Sequence, residues 1–441
     1  MLDLRPVGYV IGLLVAILGT TMLLPLFVDF ADGQGEWPVF LESAVFTILA
    51  GGILALSCAN GVKQGLTIQQ TFLLTTSVWL ALPLFGALPF MLGDTQLGFT
   101  DAFFEAMSGL TTTGSTVISG LDDLPRGLLL WRGLLQWLGG IGIIVVAMVF
   151  LPELRVGGMQ IFRSEGFDTF GKILPRATEI SSRISVIYVA LTVACAVSYG
   201  AAGMGAFDAV VHSMTTVATG GFANYDASFG AFAGPAEYVS VIFMLLAALP
   251  FVRFVQLTAG QGEPLLRDSQ IRGFFAVAVA LVLVMTVWNM SYDSGPHSGF
   301  RQTLFNTVSI LTGTGYASAD YMLWGPFPVT LLFFAGLIGG CAGSTACSIK
   351  IFRYQLLFAS IKAQIQRIRT PSGVFTPRYA GRAVGPDVLS SVISFFVFFI
   401  VTMGVVSWLL ALTGLDFTTS VSGASAALAN IGPGLGDTIG P

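Results

Sequence analysis

The sequence predicts an all-α, polytopic membrane protein, and three observations predict it. Hydrophobic residues make up 54% of the 441 residues and charged residues 10%, with a mean hydropathy of +0.81; a soluble domain carries roughly 25% charged residues. Apolar runs of about 20 residues, the length that crosses a bilayer as a helix, recur along the chain. Between them lie four polar, glycine-centred tracts: Thr111-Thr112-Thr113-Gly114-Ser115, Val217-Ala218-Thr219-Gly220-Gly221, Thr312-Gly313-Thr314-Gly315-Tyr316 and Ala429-Asn430-Ile431-Gly432-Pro433. Irregular backbone at membrane depth is tolerated only where it lines a water-filled path or is buried in protein. Four such tracts point to a pore.

The expected spans run Val7 to Phe30, Val39 to Cys58, Gln70 to Met91, Gly127 to Phe150, Ile184 to Ala202, Tyr238 to Leu257, Phe274 to Met290, Pro328 to Ser348 and Val388 to Leu412. The first is read as a span rather than a cleaved signal, because it is long and no small-residue cleavage site precedes the next one. Arg5, Lys63, the basic stretches Arg155 to Arg183, Arg253 to Arg272 and Lys350 to Arg382 fall on one side, and only Arg126, Arg132 and Arg301 lie on or near the other. The positive-inside rule makes the first side cytoplasmic, with the amino terminus inside. The tracts then approach from the outer face.

Each tract follows a short segment too brief to span: Phe103 to Met107, Val210 to Met214, Leu304 to Val308 and Val421 to Ser425. These read as half-helices dipping inward. The unit of span, short helix, tract and span repeats, which divides the chain into 1–65, an opening two-helix region, and repeats 66–155, 156–265, 266–385 and 386–441. Repeats in membrane proteins are arranged symmetrically about a shared path. The bland alternative is a set of unrelated outer loops with turn glycines.

Glycine reaches positive φ without a Cβ clash, so backbone around it turns successive carbonyls toward an axis. Carbonyls and threonine hydroxyls from four units can replace the water shell of an alkali cation. The carboxyl ends of the short helices add partial negative charge at the same spot. The acids Asp94, Asp101, Glu105, Asp122, Asp123, Asp208, Asp226, Glu237 and Asp320 are expected on the outer face, where they form a rim that concentrates cations or is simply solvated.

Other chemistry has little support. Cys58, Cys195, Cys341 and Cys347 lack zinc-knuckle spacing and read as small apolar residues, and His212 and His297 are too few and too separated for a metal site. Gly434-Leu435-Gly436-Asp437 fits a motif of intramembrane aspartyl proteases, with Tyr225-Asp226 or Tyr292-Asp293 as the partner. Such enzymes need two carboxylates facing each other within the bilayer, whereas all three acids fall in outer segments. The glycine pairs Gly139-Gly140 and Gly339-Gly340 lack the Gly-Lys-Ser/Thr ending of a phosphate loop. No enzyme, nucleotide cofactor or nucleic-acid partner is expected.

Several tracts in one order resemble the Trk/Ktr/HKT superfamily of potassium transporters, and most closely the bacterial TrkH branch. They are Asp101-Ala102-Phe103-Phe104-Glu105 leading to Ser108-Gly109-Leu110-Thr111-Thr112-Thr113-Gly114, then Leu134 to Ile143, Val156-Gly157-Gly158-Met159-Gln160, Gly339-Gly340-Cys341-Ala342-Gly343-Ser344-Thr345 and Asn430 to Gly436. The resemblance implies a homodimer in which each subunit encloses its own potassium path, walled by four repeats in pseudo-fourfold arrangement. It implies a potassium filter of Thr112, Thr113, Gly114, Ala218, Thr219, Gly220, Gly313, Thr314, Gly315, Asn430, Ile431 and Gly432, with Gly114, Gly220, Gly315 and Gly432 equivalent. In related proteins glycine at the first of these goes with potassium preference and serine with sodium.

The resemblance further implies a gating loop of Gly339, Gly340, Gly343, Ser344, Thr345 and Lys350, where Ala346-Cys347-Ser348 replaces a glycine-rich continuation. The alternative there is close helix packing through small residues, Gly336 with Gly340 and Gly339 with Gly343; Lys350 either lines the cytoplasmic vestibule or, by default for such a position, snorkels to the headgroups. Potassium is the transported ligand, and the implied partner is a cytosolic nucleotide-binding ring of the TrkA or KtrA kind. The basic stretches also suit anionic lipid. Few ionisable residues fall inside spans, Arg132, Arg253 and His212 among them, which favours a gated path over proton- or sodium-coupled symport. Family members have a span after the fourth filter. This chain stops at Pro441, so the fourth repeat is expected to lack its closing span.

Overall fold

The computed structural model describes residues 3–33, 35–61, 66–145, 177–291, 299–436 and 438–440. Helix α1 (Arg5–Thr21) continues after one residue as α2 (Leu23–Ala31), and α3 (Trp37–Cys58) returns beside it. Gly12 and Gly51 bring α1 and α3 together backbone to backbone. A Cβ on Gly12 would stand 2.5 Å from Ala55 N, and one on Gly51 2.5 Å from Ala16 N. Small residues are the usual means of such approach between membrane helices.

The first unit comprises α4 (Ile68–Gly86), its short extension α5 (Leu88–Leu92), α6 (Phe99–Leu110) and α7 (Arg126–Val145). A capping box starts α4: Thr67 Oγ1 accepts Gln70 N–H, and Gln70 Oε1 accepts Thr67 N–H, closing two donors that a helix start leaves open. The second unit runs through α8 (Ala177–Ala201), α9 (Ala206–Val217), α10 (Pro235–Ala247) and α11 (Phe251–Thr258). A short α12 (Glu263–Arg267) leads to the third, α13 (Ser269–Ser291), α14 (Phe300–Thr312) and α15 (Pro326–Gly336).

Two two-residue strands follow, β1 (Ile338–Gly339) and β2 (Ile349–Lys350), paired in parallel. Then come α16 (Ile351–Arg369), the hairpin β3 (Arg378–Tyr379) with β4 (Arg382–Ala383), α17 (Pro386–Leu412) and α18 (Phe417–Ala429). Asp416 caps α18 by accepting the Thr418 and Thr419 amides. The four expected half-helices are thus α6, α9, α14 and α18. Among the described residues, seven helical stretches are long and apolar enough to cross a membrane, Arg5–Ala31 and Pro386–Leu412 the longest of them.

Two expected spans are corrected. Tyr238 to Leu257 is not one helix: α10 and α11 meet at an angle of 88°, because Pro250 excludes the helical conformation at the residue before it. Pro328 to Ser348 is helical only to Gly336. Residues 337 to 350 leave the helix, so packing of Gly336 with Gly340 and of Gly339 with Gly343 along a helix face does not occur. The two breaks satisfy each other. Ala248 O accepts Cys341 N–H at 2.9 Å, and Ala247 O accepts Thr345 Oγ1 at 3.0 Å. Phe251 N–H donates to Gly343 O at 2.9 Å. Backbone groups freed in an apolar layer must find such partners.

An aromatic core joins the second and third units. Phe229 lies 4.8 Å from Phe305 and 5.0 Å from Tyr316, ring centre to ring centre, and all three rings are fully buried. Phe40, Phe90, Trp131 and Leu135 fill the corresponding space in the first unit. Lys63, His297, Tyr292-Asp293, Val156 to Gln160, Arg155 to Arg176 and Asp437 lie outside the described residues.

Candidate functional site: a ring of four glycine tracts

Each short helix ends in the same way. Residues Thr112, Thr219, Gly313 and Asn430 have positive φ (60°, 50°, 72° and 58°), and so, two residues on, do Gly114, Gly221, Gly315 and Gly432 (87°, 78°, 82° and 98°). The amide between them reaches back into the last helical turn: Thr113 to Ser108 O, Gly220 to Thr215 O, Thr314 to Ser309 O and Ile431 to Ala426 O, at 2.8 to 3.1 Å. This is a Schellman ending, with the left-handed residue just past the helix. Three of those residues are not glycine, a cost of about 1 to 2 kcal/mol each, which the cross-tract contacts below offset.

The repetition corrects one sequence equivalence. By backbone geometry the partner of Gly114 is Gly221, and Gly220 matches Thr113. The intervals from the helix N-caps agree: Gly98 to Gly114, Gly205 to Gly221, Gly299 to Gly315 and Asp416 to Gly432 are equal. Two adjacent glycines concealed this register in the sequence.

The tracts close into a ring. A Cβ on Gly114 would meet Gly220 O at 2.2 Å; on Gly221, Thr314 O at 2.0 Å; on Gly315, Ile431 O at 2.1 Å; and on Gly432, Thr113 O at 2.8 Å. Each glycine therefore lies against a carbonyl of the next tract, in the order first, second, third, fourth and back to the first. The carboxyl ends of four helices converge on one place, each bringing partial negative charge.

Buried backbone carbonyls are nearly always paired. Here the carbonyls of Thr112, Thr113, Gly114, Thr219, Gly221, Gly313, Thr314, Gly315, Asn430 and Ile431 accept no hydrogen bond among the described residues, although Thr112, Thr219 and Thr314 are at most 1% exposed. The neighbouring carbonyls are occupied. Gln136 Nε2 donates to Gly220 O at 2.6 Å, Ser115 Oγ to Gly432 O at 2.7 Å, Ser309 Oγ to Tyr316 O at 2.8 Å and Thr219 Oγ1 to Ala218 O at 2.7 Å. An arrangement of buried and half-buried acceptors without donors suits a bare cation.

Side chains behind the ring hold its shape. Gln136, on α7, also accepts the Phe222 amide at 3.0 Å and so grips the second tract at two points. Tyr316 reaches from the third tract to the end of α9, its hydroxyl 2.5 Å from Thr215 Oγ1. Asn430 donates to Thr111 O at 2.8 Å, and its Oδ1 accepts from Thr113 Oγ1, tying the fourth tract to the first. Arg132 and Glu105 form a buried ion pair at 2.9 Å.

The acids expected on an outer rim divide into two kinds. Glu105 and Glu237 are buried at 0% and 1% exposure, the first paired with Arg132 and the second with Arg301 at 2.5 Å. Asp208 accepts from Asn224 and Tyr225, and Asp226 from the Gly120 and Leu121 amides. These acids fix loops rather than form a bare rim. His212 packs its ring 4.9 Å from Phe232, with Nδ1 2.9 Å from Asp208 O.

The segment 338–350 lies against this ring. Gly339 sits in β1, Gly340 packs on Ala248, and Gly343 has φ +74°. Ser344 Oγ donates to Cys341 O at 2.7 Å. Lys350 does not snorkel: its ammonium bonds to Ala346 O inside the loop. Ser348 N–H donates to Ala429 O at 2.8 Å, and Cys347 N–H approaches Thr312 O at 3.4 Å, which places the loop at the ends of α18 and α14. Sequence reasoning assigned no role to Gln136, Cys347, Ser348 or the Arg132–Glu105 pair.

The family model described as TrkH, cation transport protein, matches residues 36–440. The Trk system potassium uptake protein TrkI of Halomonas elongata is 41% identical over 438 residues, covering 99% of this chain and 89% of the relative. The Trk system potassium uptake protein TrkH of Escherichia coli is 37% identical over 439 residues, covering 98% and 91%. A crystal structure of the potassium transporter TrkH from Vibrio parahaemolyticus superposes with a TM-score of 0.90 at 34% identity, covering 99% of this chain and 92% of that one.

Proposed function

The chain belongs to the TrkH family of cation transport proteins, and on that premise we propose that it takes up potassium across the bacterial inner membrane through a gated, channel-like path. It is a transport protein, not an enzyme. The observation that carries the potassium reading is the ring of buried and half-buried carbonyls without donors among the described residues. Two of the relatives described above are named potassium uptake proteins.

The mechanism follows from the ring. A cation entering it exchanges water for carbonyl oxygens of Thr112, Thr113, Gly114, Thr219, Gly221, Gly313, Thr314, Gly315, Asn430 and Ile431. Neutral carbonyls bind it strongly enough to strip water and weakly enough to release it. Ala218, Gly220 and Gly432 belong to the same tracts, all three with their carbonyls held by side chains. Gln136, Tyr316 and Asn430 keep the ring from collapsing onto a smaller ion. The tracts differ in sequence, so the four walls discriminate less sharply than four identical ones.

The loop containing Gly339, Gly340, Gly343, Ser344, Thr345 and Lys350 acts as the gate. It lies across the ends of α14 and α18, and its Lys350 ammonium repels a cation beneath the ring. Transport is driven by membrane potential. Six of the buried or half-buried charges are taken up in the pairs Arg132–Glu105, Arg253–Asp268 and Arg301–Glu237, and Lys350 is bonded to a backbone carbonyl, which disfavours a proton relay.

The amino terminus is cytoplasmic. Lys362, Arg367 and Arg369 on α16 face anionic lipid or a cytosolic nucleotide-binding ring of TrkA or KtrA type, and the protein works as a homodimer with repeats at 66–155, 156–265, 266–385 and 386–441. Rubidium uptake by a potassium-uptake-deficient cell, with sodium as competitor, tests the reading. Uptake that prefers rubidium over sodium, and loses that preference in Gly114→Ser, is expected. Absence of rubidium uptake, or an unchanged preference in Gly114→Ser, overturns it.

A further inference from the structure

The left-handed residues Thr112, Thr219, Gly313 and Asn430 form one layer, and only Gly313 brings no side chain to it. Cys347 fills that place. A Cβ on Gly313 would stand 3.1 Å from Cys347 Cβ. The thiol of Cys347 receives Asn430 Nδ2 at 2.9 Å and lies 3.7 Å from Thr112 Oγ1. A loop residue therefore touches three of the four tracts at the same level.

Asn430 has two amide hydrogens. One goes to Thr111 O at 2.8 Å and the other to Cys347 Sγ at 2.9 Å, with Thr112 Oγ1 a longer second acceptor at 3.4 Å, so a single side chain holds the first tract and the loop together. Ser348 supports the contact from the next position: at φ +63° it sends Oγ to Gly336 O at 2.6 Å and to Ala429 O at 3.1 Å. Moving the loop takes the thiol from an amide hydrogen of half-buried Asn430 and leaves it only the longer contact to Thr112 Oγ1 at 3.4 Å, which is unfavourable.

We infer that Cys347 is a positioning residue that latches the loop 338–350 to the tract layer through Asn430, so that loop movement and tract geometry are coupled. The inference rests on the potassium-path reading above. A thiol is a weak hydrogen-bond acceptor, so this latch releases readily. A hydroxyl at the same position accepts more strongly, and a methyl group does not accept at all. Changes of one atom then act in opposite directions, which a filler role does not predict.

The test uses the full chain in liposomes at fixed membrane potential. Cys347→Ala raises resting rubidium flux roughly two-fold, the change that a hydrogen bond at the weak end of the usual range corresponds to. Cys347→Ser lowers the flux, and the rubidium-to-sodium ratio is unchanged in both. Both variants lower than wild type, or both equal to it, overturn the latch.

A second readout does not depend on transport. The alkylation rate of Cys347 by N-ethylmaleimide is measured relative to half-buried Cys58 by mass spectrometry. Asn430→Ala raises this ratio several-fold if the latch exists, and an unchanged ratio overturns it. If no variant carries rubidium, wild type included, the path reading falls, and the alkylation ratio still decides the latch.

Discussion

Arg132 Nε donates to Glu105 Oε1 at 2.9 Å between side chains that are 1% and 0% exposed. The pair is fully satisfied. Arg132 also donates to Ala223 O at 2.7 Å and Thr116 Oγ1 at 3.2 Å, with its guanidinium 4.2 Å over the Phe222 ring. Glu105 accepts the Val117 amide at 3.0 Å. One ion pair thereby joins α6 and α7 to the segments that leave the first and second tracts.

Removing one partner strands the other charge in a buried site, which costs about 3 to 5 kcal/mol. Arg132→Met and Glu105→Met are each expected to lower the melting temperature of the detergent-solubilised protein strongly. Arg132→Met combined with Glu105→Met recovers much of the loss, because no charge is then left alone. Equal damage from the double variant and the sum of the singles would show that the two residues act independently.

The ring geometry ranks glycine substitutions. At Gly114, Gly221 and Gly315 a Cβ would come within 2.2 Å of a carbonyl in the next tract, while at Gly432 the distance is 2.8 Å. All four also need positive φ. Alanine at any of the first three is therefore expected to abolish selective rubidium uptake, and Gly432→Ala to reduce it less. Gly220 differs in kind: it has no positive φ, and its added Cβ meets the Gln136 side chain at 2.4 Å. A smaller residue at 136 makes space for Gly220→Ala and does nothing for Gly221→Ala. Measuring uptake of both alanine variants in a Gln136→Ala background separates the two positions.

The membrane class, the repeated unit and the four tracts were legible because each is local: apolar length, a short helix, a glycine. Pro250 was a local signal too, but the apolar run Ala247-Ala248-Leu249 around it hid the bend from a hydropathy reading. The departure of the chain from α15 was signalled by Gly339, Gly340 and Gly343, and apolar neighbours hid only that the helix already ends at Gly336. Register at Gly220 and Gly221 was recoverable only by counting from the helix starts. The pairs Arg132–Glu105 and Arg301–Glu237 join residues far apart in sequence, so buried acids read as surface ones. Cys347 acquires its neighbours only when three tracts and a loop are brought together.

Tyr316 links the third tract to the second unit. Its hydroxyl lies 2.5 Å from Thr215 Oγ1, 3.3 Å from Thr216 Oγ1 and 3.3 Å from His212 O. Tyr316→Phe removes these contacts while keeping the ring against Phe229. A net loss of about 1 kcal/mol is expected, because Thr215 Oγ1 retains Val211 O and His212 O as acceptors. The larger effect falls on selectivity. With the third tract less tightly held, sodium competes better for rubidium uptake, and competition curves of Tyr316→Phe against wild type check this.

Glu36, at the start of α3, provides a pH dependence outside the spans. Its carboxyl is raised above the usual value, first by burial and next by a hydrogen bond with Asp94. Two acids that share a hydrogen bond need a proton between them. A carboxyl whose folded pKa is raised favours the folded state while protonated, so its contribution is present below the unfolded value near 4.5 and is lost as pH rises through the higher folded value. Melting temperature is therefore expected to carry a component that falls over that interval. Glu36→Gln keeps an amide beside Asp94 at every pH and removes the component. Thermal scans of both proteins from pH 4 upward compare the slopes, and parallel curves would mean that Glu36 does not link pH to stability.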